Sequence, residues 1–84
     1  MKENRIEKLF CDKLRREGYI VYNIEGKAGS NNGVPDVLAI KNGIPHFYEV
    51  KTPVGKLSPY QKIFHHICNN THTVTYKKGE WIID

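Results

Sequence analysis

The sequence predicts an α/β (α+β) domain in which helices flank one mixed β-sheet, in the order α-β-β-β-α-β-β. Apolar residues recur at helical spacing in the segments 3–17 and 58–69. Asn42-Gly43, between two apolar runs, is the strongest short-range signal for a β-hairpin. Runs rich in β-branched and aromatic residues predict strands at 19–24, 35–41, 44–51, 72–77 and 80–84.

The first helix is predicted by an apolar stripe with lysine and arginine around the remaining surface. Gly18 provides a natural C-terminal stop for it. The stretch 25–34, rich in Gly, Ser and Asn, then predicts an exposed loop. The apolar stripe consists of Ile6, Leu9, Phe10 and Leu14.

The second helix has a clear start in the sequence. Ser58 is a predicted N-cap, Pro59 takes the first helical position, and Gln61 completes a capping box. Because this helix joins the strands at 44–51 and 72–77, we expect a right-handed crossover between parallel strands. The expected core stripe of the helix is Tyr60, Ile63, Phe64 and Ile67.

The bulk composition indicates one domain spanning residues 1–84. A net charge of +4 suits a polyanionic partner. Cys11 and Cys68 both fall in predicted helices, where small buried thiols are expected rather than a disulfide or metal site. No apolar run reaches the length of a membrane span, and the N-terminus lacks a signal-peptide core. We therefore expect an intracellular, cytoplasmic protein without a membrane partner.

The turn at Asn42-Gly43 fixes the register of the predicted hairpin. Counting back from it, Asp36 lies directly opposite Glu49. Facing Cβ atoms of antiparallel strands are roughly 4.5–5.5 Å apart, so the two carboxylates would share one small volume. Lys51 joins them, because side chains alternate between the two faces of a strand.

Two interpretations of these charges are open. They are either solvated surface charges, with Lys51 neutralising one acid, or a site for a divalent cation. Like charges placed opposite each other destabilise a sheet, and the apolar neighbours on both faces indicate partial burial. A bound cation would offset the repulsion between two partly buried, facing carboxylates, which favours the metal site.

The chemistry of such a site follows from its ligands. Asp36 and Glu49 are suited to Mg²⁺ or Mn²⁺, hard ions that prefer oxygen and keep several waters. The Val50 carbonyl lies between Glu49 and Lys51 in sequence and is a candidate third ligand. Lys51 would orient an attacking water or offset the charge that develops on a phosphate. Together these groups predict a hydrolytic phosphodiesterase.

By its spacing, Pro35-Asp36 followed by Glu49-Val50-Lys51 resembles the PD-(D/E)XK nuclease superfamily. The wider segments 33–36, 47–53 and 57–61 resemble the virus-type replication-repair nuclease (VRR-NUC) domain in its standalone, phage-encoded form. This resemblance covers nearly the whole chain. It implies a restriction-endonuclease-like core and a metal-dependent DNA endonuclease, selective for branched DNA such as four-way (Holliday) junctions. Since such a junction needs two symmetry-related cuts, a homodimer is the economical expectation.

The resemblance also implies roles for individual residues. Glu7 matches an acid of the first helix that assists metal binding. Pairing with a neighbouring side chain on a solvent-exposed face of the helix would also explain it. Gln61 matches a catalytic glutamine, but one side chain cannot do this and close the capping box at once. Lys27 and Ser30 fall where the family's loop approaches the scissile strand, so they are candidate substrate contacts.

Other functions remain open at this level. One is a nuclease for flap, nicked or single-stranded DNA, and another is a non-catalytic nucleic-acid-binding module. The histidines invite a zinc site, but no Cys or His spacing completes one, so structural or surface roles are favoured. Tyr22, Tyr60 and Trp81 are candidates for base stacking, with core packing the favoured interpretation for each.

Overall fold

The computed structural model describes residues 2–24 and 33–84. The five strands form one sheet in the spatial order β1-β2-β3-β4-β5. Strands β3 and β4 are parallel and all other neighbours are antiparallel. The predicted α+β fold and its element order are confirmed. The elements are α1 (Glu3–Arg16), β1 (Ile20–Asn23), β2 (Val37–Lys41), β3 (Ile44–Lys51), α2 (Pro59–Ile67), β4 (Thr71–Lys77) and β5 (Glu80–Ile83).

The β2–β3 hairpin has the predicted register, with Leu38 opposite Phe47. Its turn is left-handed at both central positions, since φ is 55° at Asn42 and 75° at Gly43. Strand β2 begins at Val37, two residues later than predicted. Two physical causes account for this: proline has no N–H to donate to a ladder at position 35, and the next residue pairs with β3 through its side chain.

The main core lies between α1 and one face of the sheet. Phe10 is fully buried there, with its ring 4.9 Å from Tyr48 and 5.3 Å from Trp81, measured between centroids. Trp81 thus packs in the core, the interpretation favoured from sequence. The α1 stripe meets alternate residues of β2, β3 and β4, as the period of two predicts. The buried members of this cluster are Phe10, Cys11, Leu14, Val37, Ala39, Tyr48 and Val74.

The capping box of α2 is confirmed. The Ser58 hydroxyl accepts from the Gln61 N–H at 3.2 Å, and the Gln61 side-chain oxygen accepts from the Ser58 N–H at 2.7 Å. The helix ends at Ile67 rather than at residue 69, because Cys68 already has extended dihedral angles. Cys68 therefore lies just outside the helix and is partly exposed, whereas Cys11 is buried; both thiols are free.

The predicted core stripe of α2 is wrong for three of its four members. Phe64 does pack, with its ring 5.3 Å from that of Phe47 in β3. Tyr60, Ile63 and Ile67 remain 58%, 56% and 72% exposed. The cause is the position of the helix, which lies over β3 and β4, to one side of the sheet. One apolar flank of the helix therefore has no described element packed against it. Within the described residues, no helix is long and apolar enough to cross a membrane.

Gly33 joins the chain before β2 to the start of α2. The loop containing it was expected to be exposed, but Gly33 itself is buried. Its φ of 93° is in the left-handed region, and a Cβ added there would overlap the backbone carbonyl of Tyr60. Close approach of two backbones therefore requires glycine at this position. Most of the predicted loop, residues 25–32, lies outside the described residues.

We expect Gly33→Ala to lower the free energy of unfolding by about 3 kcal/mol or more, because positive φ and backbone overlap act together. Gly79→Ala is the matched control: Gly79 also has positive φ, 79°, but nothing lies within 4 Å of an added Cβ. That control should lose only about 1–2 kcal/mol. Urea unfolding followed by circular dichroism measures both, and equal losses would contradict the close approach.

Candidate functional site

Asp36 lies in the bend before β2 and connects the strands on either side of it. Its main-chain carbonyl accepts a hydrogen bond from the Ile24 N–H at 2.7 Å. Its side-chain Oδ2 accepts another from the Val50 N–H in β3 at 2.9 Å. The carboxylate therefore occupies the position that a backbone carbonyl would take in a longer β2, which holds it against β3.

Glu49 is the buried acid of the site. It lies in β3 between β2 and β4, and only 2% of it is exposed. Its Oε1 atom is buried without a hydrogen-bond partner among the described residues. Because an unsatisfied buried carboxyl oxygen is costly, this atom is the strongest indication that the site accepts a ligand.

The electrostatics of the pair follow from this burial. Loss of solvent, a side-chain hydrogen bond with Asp36 and the charge of Asp36 together raise the pKa of Glu49 to about 9. Lys51 acts in the opposite direction on the same pKa. Without a cation, Glu49 therefore carries a proton at neutral pH and the pair holds one negative charge rather than two.

The arrangement is chemically suited to a hard cation. Asp36 and Glu49 provide carboxylate oxygens, one of them unpartnered. The Val50 carbonyl points to the same side of β3 as its N–H, which faces Asp36. In residues 2–24 and 33–84, no three Asp, Glu, His or Cys side chains converge on one point. An ion such as Mg²⁺, which keeps several waters, is compatible with two carboxylates and a carbonyl.

Two acids of α1, Glu3 and Glu7, have charges that act on buried groups in or beside the sheet. Glu7, the predicted metal ligand, accepts a hydrogen bond from Asn23 Nδ2 at 3.0 Å. The charge of Glu7 raises the pKa of Cys11, and the charge of Glu3 raises the pKa of Glu49. Glu3 and Glu7 share a helix face because they are four residues apart. The role of Glu7 as a metal ligand stays a prediction.

Gln61 has its side-chain oxygen bound within the capping box. In this state the oxygen is held by Ser58 through one of its two lone pairs, and the amide nitrogen is the side chain's donor towards a substrate. Lys27 and Ser30, the candidate substrate contacts, lie outside the described residues.

His65 and Thr73 adjoin the site; His65 was considered from sequence only as a structural or surface histidine, and Thr73 was not singled out. Thr73 in β4 is the register partner of Glu49, so both side chains lie on the α2 face of the sheet. His65 Nδ1 lies 2.8 Å from the Gln61 carbonyl, and its Nε2 lies 3.2 Å from the Thr73 hydroxyl. Since Nδ1 faces a carbonyl, it carries the proton, and Nε2 accepts from Thr73 when the ring is neutral. Only the β3–β4 register could have located this contact in advance.

Comparison with models of protein families found no match, and a search of curated proteins found no relative.

The pKa of Glu49 predicts how stability depends on pH. Since the folded pKa, about 9, is above the ordinary value of 4.5, the folded chain retains a proton that the unfolded chain releases. The contribution of Glu49 to stability without metal is therefore fully present below about pH 4.5 and is lost, by roughly 1 kcal/mol per pH unit at most, as pH rises towards 9. We expect Glu49→Gln, which mimics the protonated acid, to remove this component.

Urea unfolding in EDTA at several pH values between 5 and 8 measures how steeply the free energy of unfolding depends on pH in Glu49→Gln and in the natural chain. Glu80→Gln, at an exposed acid, is the control and should follow the natural chain. Parallel pH profiles for Glu49→Gln and the natural chain would contradict the buried protonated acid.

Proposed function

We propose that this chain is an Mg²⁺- or Mn²⁺-dependent endonuclease that hydrolyses phosphodiester bonds in DNA. The observation that carries the proposal is the pairing of Asp36 with the buried Glu49, whose Oε1 is unpartnered among the described residues and on whose pKa the charge of Lys51 acts. A protein that only binds nucleic acid gains nothing from carboxylates that repel phosphate. A site that holds a cation against phosphate requires them.

In this mechanism the chain's residues have separate tasks. Asp36 and Glu49 hold the cation, with the Val50 carbonyl on the same side of β3. The bound cation would lower the pKa of a water and offset the charge on the phosphate oxygens. Lys51 orients that water or stabilises the charge of the transition state. Gln61 contributes its amide nitrogen as a donor to the substrate, while its oxygen accepts from the Ser58 N–H.

The proposed substrate is branched DNA, and four-way junctions are the first choice. This rests on the resemblance of the motifs to VRR-NUC domains and on the net charge of +4. Two cuts in a two-fold symmetric junction would require two chains, so we propose that a homodimer acts, in the cytoplasm of a phage-infected host cell. A labelled panel of four-way, flap, nicked, duplex and single-stranded DNA distinguishes these substrates, and paired symmetric incisions identify junction resolution.

We expect Asp36→Asn to reduce cleavage at least about 100-fold, because a neutral amide binds a divalent cation poorly. Asparagine still has an oxygen that can accept from the Val50 N–H, so the fold should persist. Cleavage of labelled DNA is measured with Mg²⁺ and with EDTA. Asp12→Asn, at an acid of the outer α1 surface, is the control. Full activity of Asp36→Asn, or of the natural chain in EDTA, would overturn the proposal.

Lys51→Ala should reduce turnover about 100-fold or more while binding of DNA and metal persists, because the lysine acts on the reacting water and phosphate. Single-turnover cleavage and binding of DNA in Ca²⁺ separate the two effects. Lys56→Ala, at an exposed lysine of the next loop, is the control. If Lys51→Ala abolished binding instead, the lysine would be a phosphate anchor.

A further inference from the structure

The turn between β4 and β5 lies at the same end of the sheet as the candidate site. Because β3 and β4 are parallel, their C-terminal ends lie together, and Lys51 is the register partner of Thr75. Strand β4 continues past Thr75 to Lys77, and the turn itself consists of Lys78 and Gly79. At about 3.3 Å per residue, Lys78 therefore stands roughly 10 Å beyond the level of Lys51 along the strands.

The β4–β5 hairpin that carries this turn is anchored in the main core. Tyr76 and Trp81 are register partners close to the turn, and their ring centroids are 4.6 Å apart. The Trp81 ring also lies 5.3 Å from that of Phe10. Lys78 is therefore held on an arm that packs against the core, so little ordering of its backbone is needed when a partner binds.

Lys78 has a backbone conformation that lysine rarely adopts. Its φ is 53° and that of Gly79 is 79°, the left-handed pattern of a type I′ turn. Asparagine is the favoured first residue of such a turn, because its short polar side chain tolerates positive φ. The chain has Asn42 and Gly43 in the matching β2–β3 turn, with φ values of 55° and 75°. Lysine at position 78 is thus a departure from local preference, and such departures concentrate at functional positions.

The charge of Lys78 is not neutralised by an ion pair. The three ion pairs found among the described residues all join side chains between positions 8 and 17. Lys77 lies opposite Glu80 in the last register pair before the turn, so their two charges offset each other. Lys78, which is exposed at the tip, therefore carries the net positive charge of the turn.

We propose that Lys78 binds a backbone phosphate of the DNA arm that flanks the cut. The inference rests on the proposed function, which places the cut at Asp36 and Glu49. Successive phosphates of one strand are about 3.4 Å apart along the helix axis, so an offset of roughly 10 Å corresponds to about three nucleotides. A lysine ammonium is a compact charge with mobile donors, and a phosphate contact carries no base information. The contact therefore positions a DNA arm whatever its sequence.

The test is binding of a fluorescent four-way junction and a fluorescent duplex in Ca²⁺ over a range of salt concentrations. Lys78→Asn should raise Kd at least about threefold and reduce the slope of log K against log salt by about 1, since one phosphate contact is lost. Because asparagine is favoured in this turn, the urea unfolding midpoint of the variant should equal or exceed that of the natural chain. Weaker binding with undiminished stability separates a lost contact from a damaged fold.

Two further variants control for charge and position. Lys78→Arg keeps the charge and should bind like the natural chain. Lys78→Asn combined with Asn42→Lys keeps the natural net charge but moves the lysine to the far end of β3, roughly 20 Å from Lys51. It should bind as weakly as Lys78→Asn alone, and circular dichroism verifies that each variant is folded. Recovery of the natural affinity in the double variant would overturn the inference, because net charge alone would then explain binding.

Methylphosphonate substitution locates the contact on the DNA. Successive phosphates of one junction arm are neutralised one at a time, starting at the branch point. At the contacted position, neutralisation should weaken binding of the natural chain but not of Lys78→Asn, which has already lost the contact. The absence of any such position would overturn the inference, as would an unchanged Kd and salt slope in Lys78→Asn. Tighter binding of the natural chain to polyglutamate than to duplex DNA would also overturn it, since an acidic protein segment would then be the partner.

The cleavage assay with Mg²⁺ is independent of these measurements. A chain that binds DNA through Lys78 but cuts none would remove the proposed function and leave the phosphate contact standing. A chain that cuts DNA while Lys78→Asn binds like the natural chain would remove the contact and leave the proposed function.

Discussion

The double engagement of Asp36 is the constraint on which the site depends. Its carbonyl holds Ile24 and its carboxylate holds the Val50 amide, so a single residue ties the segments on both sides of β2 together. A charge-assisted hydrogen bond from a backbone N–H fixes the carboxylate direction more firmly than solvent would. The acid is thereby directed at Glu49, and under the proposed function this preorganisation lowers the ordering needed when a cation binds.

The second acid can stay buried because it can hold a proton. One negative charge shared by Asp36 and Glu49 is tolerable inside the sheet, whereas two ionised carboxylates in contact would repel each other strongly. Under the proposed function, a proton and a divalent cation therefore compete for the same oxygens. Metal binding would release that proton, as binding to protonated ligands generally does. The fold and the chemistry are thus coupled through Glu49.

Features fixed by neighbouring residues were predictable from the sequence. The turn at Asn42-Gly43 determined the hairpin register, and the Ser58–Gln61 box determined the start of α2. The exposure of Ile67 was not predictable, because periodicity reports an apolar stripe but not the width of the surface beneath it. The contact of His65 with Thr73 likewise depends on where α2 lies across the sheet, which neighbouring residues do not fix.

The different surroundings of the two thiols give this chain an internal probe. Cys11 is buried and its pKa is raised by desolvation, so it holds little of the reactive thiolate. Cys68 is partly exposed and directly follows Ile67 at the end of α2. A thiol-directed fluorophore or spin label should therefore attach selectively at Cys68. The natural chain can report on the surroundings of α2 in solution without a single substitution.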